Sequence, residues 1–258
     1  MIRTGKILFL LSLVSVMAAA LSASANAASD CCWYVRRNGE CRPGFPADAE
    51  QVSEYGGYYI DDRCDSEGRR LLYLTFDVGY ENGNVEKILN VLKEKNVPAA
   101  FFVLDNIILK NTDLVMRMTA EGHLVCNHTK RHRNLSGASA EEIASDLQAL
   151  EEIYTASTGL EMSKYFRFPE GRYSIDAIKA VQSLGYKTVF WSFGYEDWDN
   201  ARQPSEAYAV NKILSNTHNG AVILLHPTSA TNAKILAGLI DSWREMGYEF
   251  GTLDQLTA

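Results

Sequence analysis

The chain has 258 residues, 47% of them hydrophobic and 22% charged, with a formal net charge of −7. That composition is ordinary for a globular protein. The acidic balance excludes nucleic acid as a partner, since that role needs a basic surface, and it disfavours electrostatic capture of a strongly anionic polymer.

Arg3 and Lys6 precede an apolar run from Ile7 to Leu21, and Ala25-Asn26-Ala27 is a small-x-small cleavage site. Residues 1–27 therefore read as a secretory signal peptide. The run is shorter than the roughly 20 residues of a bilayer span; an uncleaved anchor is the alternative reading. Asp30 stands where a lipoprotein signal carries a small residue, which argues against lipid attachment at Cys31. Cleavage leaves 231 residues of net charge −9, enough for one domain with a full core. The mature protein is expected to be secreted or cell-wall associated, monomeric, and without a stable membrane span.

Residues 28–70 read as an irregular, Cys-containing N-terminal extension. Cys31, Cys32, Cys41 and Cys64 suggest up to two disulfides in an exported protein, with Cys41 and Cys64 as partners for the adjacent pair. The spacing lacks the CxxC of a typical metal cluster. From Leu71 to residue 258 short apolar runs alternate with amphipathic stretches. Strands are expected at 71–76, 99–103, 124–127, 165–168, 188–191 and 221–225. Helices are expected at 84–96, 112–121, 140–158, 175–184, 205–216 and 230–246. Gly122, Gly159 and Gly185 suit left-handed helix ends, and Asp113, Ser139 and Ser174 suit N-caps. This alternation predicts an α/β fold with a parallel sheet closed as a (β/α) barrel.

Reactive side chains fall at the carboxyl ends of those strands. Asp77 follows the first, His128 the third, Arg167 the fourth, Asp197 lies in the loop beyond the fifth, and His226 ends the sixth. That end is where barrel enzymes gather their chemistry. His128 and His132, four apart, would face one ion from a helical turn, and imidazole nitrogens suit zinc, cobalt or nickel. The ordinary alternative is one buried and one surface histidine. Asp77 can accept the proton of a water beside the ion, or merely cap the helix at 84–96. His226 can protonate a leaving amine, or be a core histidine. Arg167 can fix Asp77, the Glu170 N–H can donate to an oxyanion, and Asp197 can hold Arg167; a surface ion pair is the plain alternative for the last two arginine and aspartate roles. Of the aromatics around these loops (Trp191, Trp198, Tyr80 and Phe168), Tyr80 and Trp198 are expected to line the site and Trp191 to pack in the core. Cys126 is a thiolate ligand or, more ordinarily, a buried small residue.

These residues resemble the NodB-homology polysaccharide deacetylases, carbohydrate esterase family four, over nearly all of residues 71–256. The matching motifs are Thr75-Phe76-Asp77-Val78-Gly79, His128-Thr129-Lys130-Arg131-His132, Arg167-Phe168-Pro169-Glu170-Gly171, Asp197-Trp198 and Leu224-Leu225-His226. The resemblance implies a distorted (β/α) barrel of the NodB type and hydrolysis of acetamido groups with a divalent metal, zinc first, with cobalt, nickel or manganese as alternatives. Gly79-Tyr80-Glu81-Asn82-Gly83 and Phe190-Trp191-Ser192 are similar to the delta-lactam-biosynthetic de-N-acetylases. That subgroup implies N-acetylmuramic acid in peptidoglycan as substrate, on the route to muramic delta-lactam in the spore cortex, and a spore-forming producer. The other readings are a deacetylase of chitin oligomers or of peptidoglycan N-acetylglucosamine, and a non-catalytic glycan-binding module. Two positions depart from the family pattern. Val78 replaces a metal-ligating acid, and Gly194 replaces the first acid of the fourth motif.

Overall fold

The computed structural model describes residues 30–37 and 42–258; the leader read at 1–27 and Cys41 lie outside them. In chain order the elements are β1 (Cys31–Cys32), α1 (Ala49–Glu54), β2 (Gly57–Tyr58), α2 (Arg63–Ser66), β3 (Leu71–Val78), α3 (Val85–Lys95), β4 (Ala100–Val103), α4 (Asp105–Lys110), α5 (Thr112–Ala120) and β5 (Leu124–Asn127). They continue with α6 (Ala140–Thr158), β6 (Ser163–Phe166), β7 (Arg172–Tyr173), α7 (Ile175–Ser183), β8 (Lys187–Val189), α8 (Glu206–Leu214), β9 (Ala221–Leu225), α9 (Ala230–Glu245), β10 (Glu249–Phe250) and α10 (Leu253–Leu256).

The six expected strands are β3, β4, β5, β6, β8 and β9, and they pair side by side in parallel in the order β9-β3-β4-β5-β6-β8. After β8, Phe193 bridges to Ile223 of β9, which turns the sheet back on its own first edge as a distorted barrel. Alternate residues of β3 sort to opposite faces. Leu72, Leu74, Phe76 and Val78 join the apolar layer under the helices. Leu71 and Tyr73 point into the barrel with Ala100, Phe102, Cys126 and Val222. Leu253 and Leu256 of α10 join that inner cluster beside Leu71, where β3 begins. Cys126 is thus buried in the barrel interior, and burial drives its thiol well above the ordinary range.

Local signals account for most helix ends. Ser139 and Glu142 form a reciprocal capping box on α6, and the Ser174 hydroxyl accepts the Ala177 N–H at the start of α7. Gly122, Gly159 and Gly185 take φ of 84°, 73° and 82° after α5, α6 and α7. Asp113 is not a cap: α5 starts at Thr112 with Asn111 at the cap position, leaving Asp113 in the first turn, where its charge still opposes the helix dipole. Helix α4 has only 6 residues, too few to display a 3.6-residue period in the sequence.

The N-terminal extension is less irregular than its composition suggests. Its β2 pairs in parallel with β8 and becomes part of the main sheet, and β1 pairs antiparallel with β7. Among the described residues Cys64 is a free thiol; α2 tucks it into the barrel cluster against Leu71 and Tyr73, where burial raises its pKa to about 11. No described helix is long and apolar enough to cross a membrane.

His123, 4% exposed, has neither ring nitrogen hydrogen-bonded and lies edge-on to Phe101 at 5.5 Å. Burial pushes its pKa from 6.5 to about 4. The folded state therefore holds it neutral, and stability is lost as pH falls from 6.5 towards 4, by up to about 3 kcal/mol. Replacing it by Phe (His123→Phe) is expected to flatten that limb of the urea midpoint plotted against pH; an unchanged slope would refute the assignment.

Candidate active site

Parallel strands in register deliver their carboxyl ends to one mouth, and the sequence-predicted residues meet there. Asp77 lies inside β3, one residue before its end, opposite Phe102 of β4. His128 follows β5, Arg167 follows β6, and His226 follows β9. Asp197 sits in the connection between β8 and α8.

Arg167 is fully buried. Its Nη1 donates to Asp77 Oδ1 at 2.8 Å, Nη2 to Thr75 Oγ1 at 2.9 Å and to the Phe190 carbonyl at 3.3 Å, and Nε to the Val189 carbonyl at 2.9 Å. The guanidinium also lies 4.2 Å from the Phe102 ring centre. Burial presses the Asp77 pKa upwards. The charge of Arg167, with smaller contributions from the His128 and His226 imidazoles, outweighs it and holds the carboxyl below its ordinary value. Asp197, expected to brace Arg167, does not touch it; two backbone carbonyls and Thr75 do.

The His128–His132 pair is not on a helical turn. Residues 128–132 form an irregular loop in which Thr129 and His132 take φ of 68° and 56°. Side-chain bonds replace the helical ladder. Asn127 Oδ1 accepts the Thr129 N–H at 2.9 Å, Thr129 Oγ1 accepts the Arg133 N–H at 3.1 Å, and Asp146 Oδ1 accepts the Lys130 N–H at 2.8 Å. Buried Asn127 is itself held, donating to the Leu147 carbonyl and the Tyr186 hydroxyl at 3.1 Å each. The loop still sets the two imidazoles 5.1 Å apart, centre to centre.

His128 Nδ1 lies 2.9 Å from the Arg167 carbonyl, and a carbonyl only accepts, so this nitrogen carries the proton. Burial holds the ring neutral, with a pKa of about 4. Nε2 is then an acceptor, and it faces Asp77 Oδ2, another acceptor, at 3.5 Å. Two facing acceptors beside a third donor group, His132, suit a shared cation. A metal-ligating imidazole commonly donates its other N–H to a backbone carbonyl in this way. Among the described residues no group of three His, Cys, Asp or Glu is already gathered tightly enough to count as a formed metal cluster. Nitrogen and carboxylate donors of this kind fit zinc and its neighbours. Val78 contributes nothing, its side chain being packed under the helices. Cys126 is likewise no ligand in this arrangement, being enclosed among barrel side chains.

Asp197 serves His226 instead. Its Oδ1 lies 2.7 Å from His226 Nδ1, and its Oδ2 accepts the His226 backbone N–H at 2.8 Å and the Asn232 amide at 2.6 Å. Burial presses the His226 pKa down, but the charge and hydrogen bond of Asp197, with Asp77 beyond, reverse this, and the net shift is upwards. With Nδ1–H on Asp197, Nε2 is the nitrogen left for a substrate. Around the mouth, Tyr80 is 45% exposed and Trp198 56% exposed, with Trp198 edge-on to His226 at 6.0 Å. Asn200 donates to the Tyr80 hydroxyl and joins the two loops. Phe168 is core, whereas Trp191, expected in the core, is only partly buried and lies 5.8 Å from the Arg167 guanidinium. Glu170 stands in a tight turn with φ of 57° and an exposed side chain.

Sequence reasoning missed Asn127, Thr75, Asn200 and Asn232 as site-building residues. Only their burial or cross-loop partners mark them; a lone Asn in the first turn of α9 carries no such signal. Replacing Arg167 by Lys (Arg167→Lys) leaves one ammonium to meet four acceptors in a dry site. It is expected to cost about 3 kcal/mol and to lower the melting temperature by roughly 6–12 °C in calorimetry. A shift under about 2 °C would mean the guanidinium geometry is not needed.

Residues 65–189 match the polysaccharide deacetylase family model. The peptidoglycan-N-acetylmuramic acid deacetylase PdaA of Bacillus subtilis is 35% identical over 205 residues, covering 80% of this chain and 76% of that protein. A chitooligosaccharide deacetylase of Bradyrhizobium is 30% identical over 206 residues, covering 74% of this chain and 93% of its own. The solved structure of Bacillus subtilis PdaA, described as a family 4 carbohydrate esterase, superposes with a TM-score of 0.82 at 32% identity over 88% of this chain and 97% of that one. With the fold, the strand-end residues and these relatives in agreement, the chain belongs to the polysaccharide deacetylase family, the family 4 carbohydrate esterases.

Proposed function

We propose that this protein hydrolyses the N-acetyl group of peptidoglycan amino sugars, N-acetylmuramic acid first, outside the cell. The observation that carries the reaction type is the pairing of two oppositely tuned groups across one mouth. Arg167 holds the Asp77 pKa below its ordinary value, and Asp197 raises that of His226. Asp77 takes a proton from the attacking water as its oxygen bonds to the acetyl carbon. The Glu170 N–H donates to the oxyanion that develops on the carbonyl oxygen. The carbon–nitrogen bond then breaks, with His226 giving its Nε2 proton to the leaving amine, and acetate departs. His128 and His132, with Asp77 alongside, would hold the divalent ion, zinc first, which supplies Lewis-acid polarisation of the carbonyl. Exposed Tyr80 and Trp198 offer faces for the sugar ring. Similarity to PdaA supports the muramic substrate, and the intact acid–base pair speaks against a glycan-binding module without turnover.

Protein without residues 1–27 is expected to release acetate from peptide-free glycan strands when supplied with zinc, and mass spectrometry is expected to place the free amine on muramic acid. Free amine on glucosamine alone would replace the substrate; no acetate at all would sink the reading. Asp77→Asn is expected to lower kcat by 10²–10⁴-fold.

Removing the charge beside the acid makes a separate expectation. Asp197→Asn withdraws what raises the His226 pKa, so the protonated fraction at neutral pH falls. The basic limb of the kcat–pH profile should move to lower pH. A basic limb that stays in place would assign the acid role to another group.

A further inference from the structure

We infer that Trp33, in the segment ahead of the barrel, is a positioning residue for catalysis, holding both the turn that presents the Glu170 N–H and the carbonyl segment that braces Arg167. The inference rests on the proposed deacetylation and concerns a residue outside all five motifs. Trp33 is 2% exposed although it belongs to an N-terminal stretch with little sequence pattern. Its backbone N–H donates to the Gly171 carbonyl at 2.7 Å, one residue past Glu170. The indole Nε1–H donates to the Trp191 carbonyl at 2.8 Å, directly after the Phe190 carbonyl that receives Arg167. The indole itself stacks on Phe190 with ring centres 4.6 Å apart and planes 19° from parallel.

The turn depends on something outside itself. Glu170 holds a left-handed φ of 57° that a side-chain-bearing residue rarely adopts. Gly171, with φ of 64°, is so tightly enclosed that an added Cβ would stand 2.8 Å from the Trp191 ring and 3.0 Å from the Trp33 Cβ. β1 pairs with β7 just beyond, Cys32 opposite Arg172, so the strand pairing on one side and the Trp33 Cβ with the Trp191 ring on the other close on the turn. A strained turn keeps its geometry only where its surroundings over-determine it. Here Trp33 supplies the bond to the Gly171 carbonyl and a wall against Gly171, beside the Trp191 ring and the Cys32 Sγ that reaches the Glu170 carbonyl. An oxyanion donor acts on charge that develops only in the transition state, so loosening it lowers kcat and leaves ground-state binding alone.

The test compares steady-state acetate release by the zinc-loaded wild type and Trp33→Phe on peptide-free glycan strands. Phenylalanine keeps a ring on Phe190 and loses the Nε1–H. We expect kcat to fall about tenfold with KM within twofold, at a temperature where circular dichroism shows both proteins folded. A purely structural role would lower activity only in proportion to the folded fraction. Asp30→Ala, which cuts the exposed ion pair of Arg172 with Asp30, is expected to leave kcat unchanged. Unchanged kcat in folded Trp33→Phe, or a loss carried by KM, overturns the inference. If Trp33→Phe does not fold, Gly171→Ala presses the turn away from the Trp33 Cβ and the Trp191 ring, and the same two readings decide. A wild type that releases no acetate sinks the deacetylase reading itself, and this inference with it.

Discussion

A guanidinium with no exposure to solvent has to find an acceptor for each of its donors and an opposite charge nearby, because leaving either unmet costs several kcal/mol. Arg167 meets that demand with Asp77 and Thr75 from β3 and with the Val189 and Phe190 carbonyls at the end of β8, while its own carbonyl takes the Nδ1 proton of His128. One residue thus sets the ionisation of the base, the tautomer of a candidate metal ligand and the relative register of three strand ends. The rest of the mouth is built round this constraint.

The departures at Val78 and Gly194 are intelligible in the same terms. A Cβ at Gly194 would come within 3.4 Å of the Trp191 indole and 3.7 Å of the Leu224 Cβ. A side chain there would lie in van der Waals contact with the ring 5.8 Å from the Arg167 guanidinium. Here two carbonyls and a threonine hydroxyl take the place of a second acid, so the guanidinium charge is balanced by Asp77 alone. Val78 faces the helix layer, where it packs with Phe76, Leu74 and Leu72. The cost is one fewer oxygen donor beside His128 and His132.

The two titrating arms illustrate how one mouth keeps an acid and a base apart. Both Asp77 and His226 are buried enough for desolvation to be the largest single influence on each, and in each it is overridden by a fixed opposite charge. Arg167 and Asp197 are themselves fully buried, hence rigid and poorly screened. The second of these arms is reinforced by Asn232 from the first turn of α9, and Tyr195 donates in turn to Asn232. The loop bearing Tyr80 is tied down by Asn82 and Asn84, which both donate to the Thr228 carbonyl.

Period and punctuation in the sequence were enough to determine the six barrel strands, the long helices and the caps at Ser139 and Ser174, because these depend on contacts within a few residues. Five short motifs at strand ends were enough to place Asp77, His128, Arg167 and His226 at one mouth. Tertiary structure alone decided who holds whom. Asp197 serves His226 and not Arg167 because the connection after β8 passes over the end of β9. His128 and His132 meet across a left-handed loop because Asn127 and Thr129 satisfy the backbone that a helix would have bonded. The N-terminal stretch, with no period to read, gains its order only by adding β2 to the sheet and burying Trp33 against Phe190. The bonds of the histidine loop are local but follow no period, while the other pairings join residues separated by tens to more than a hundred positions, which no local propensity encodes.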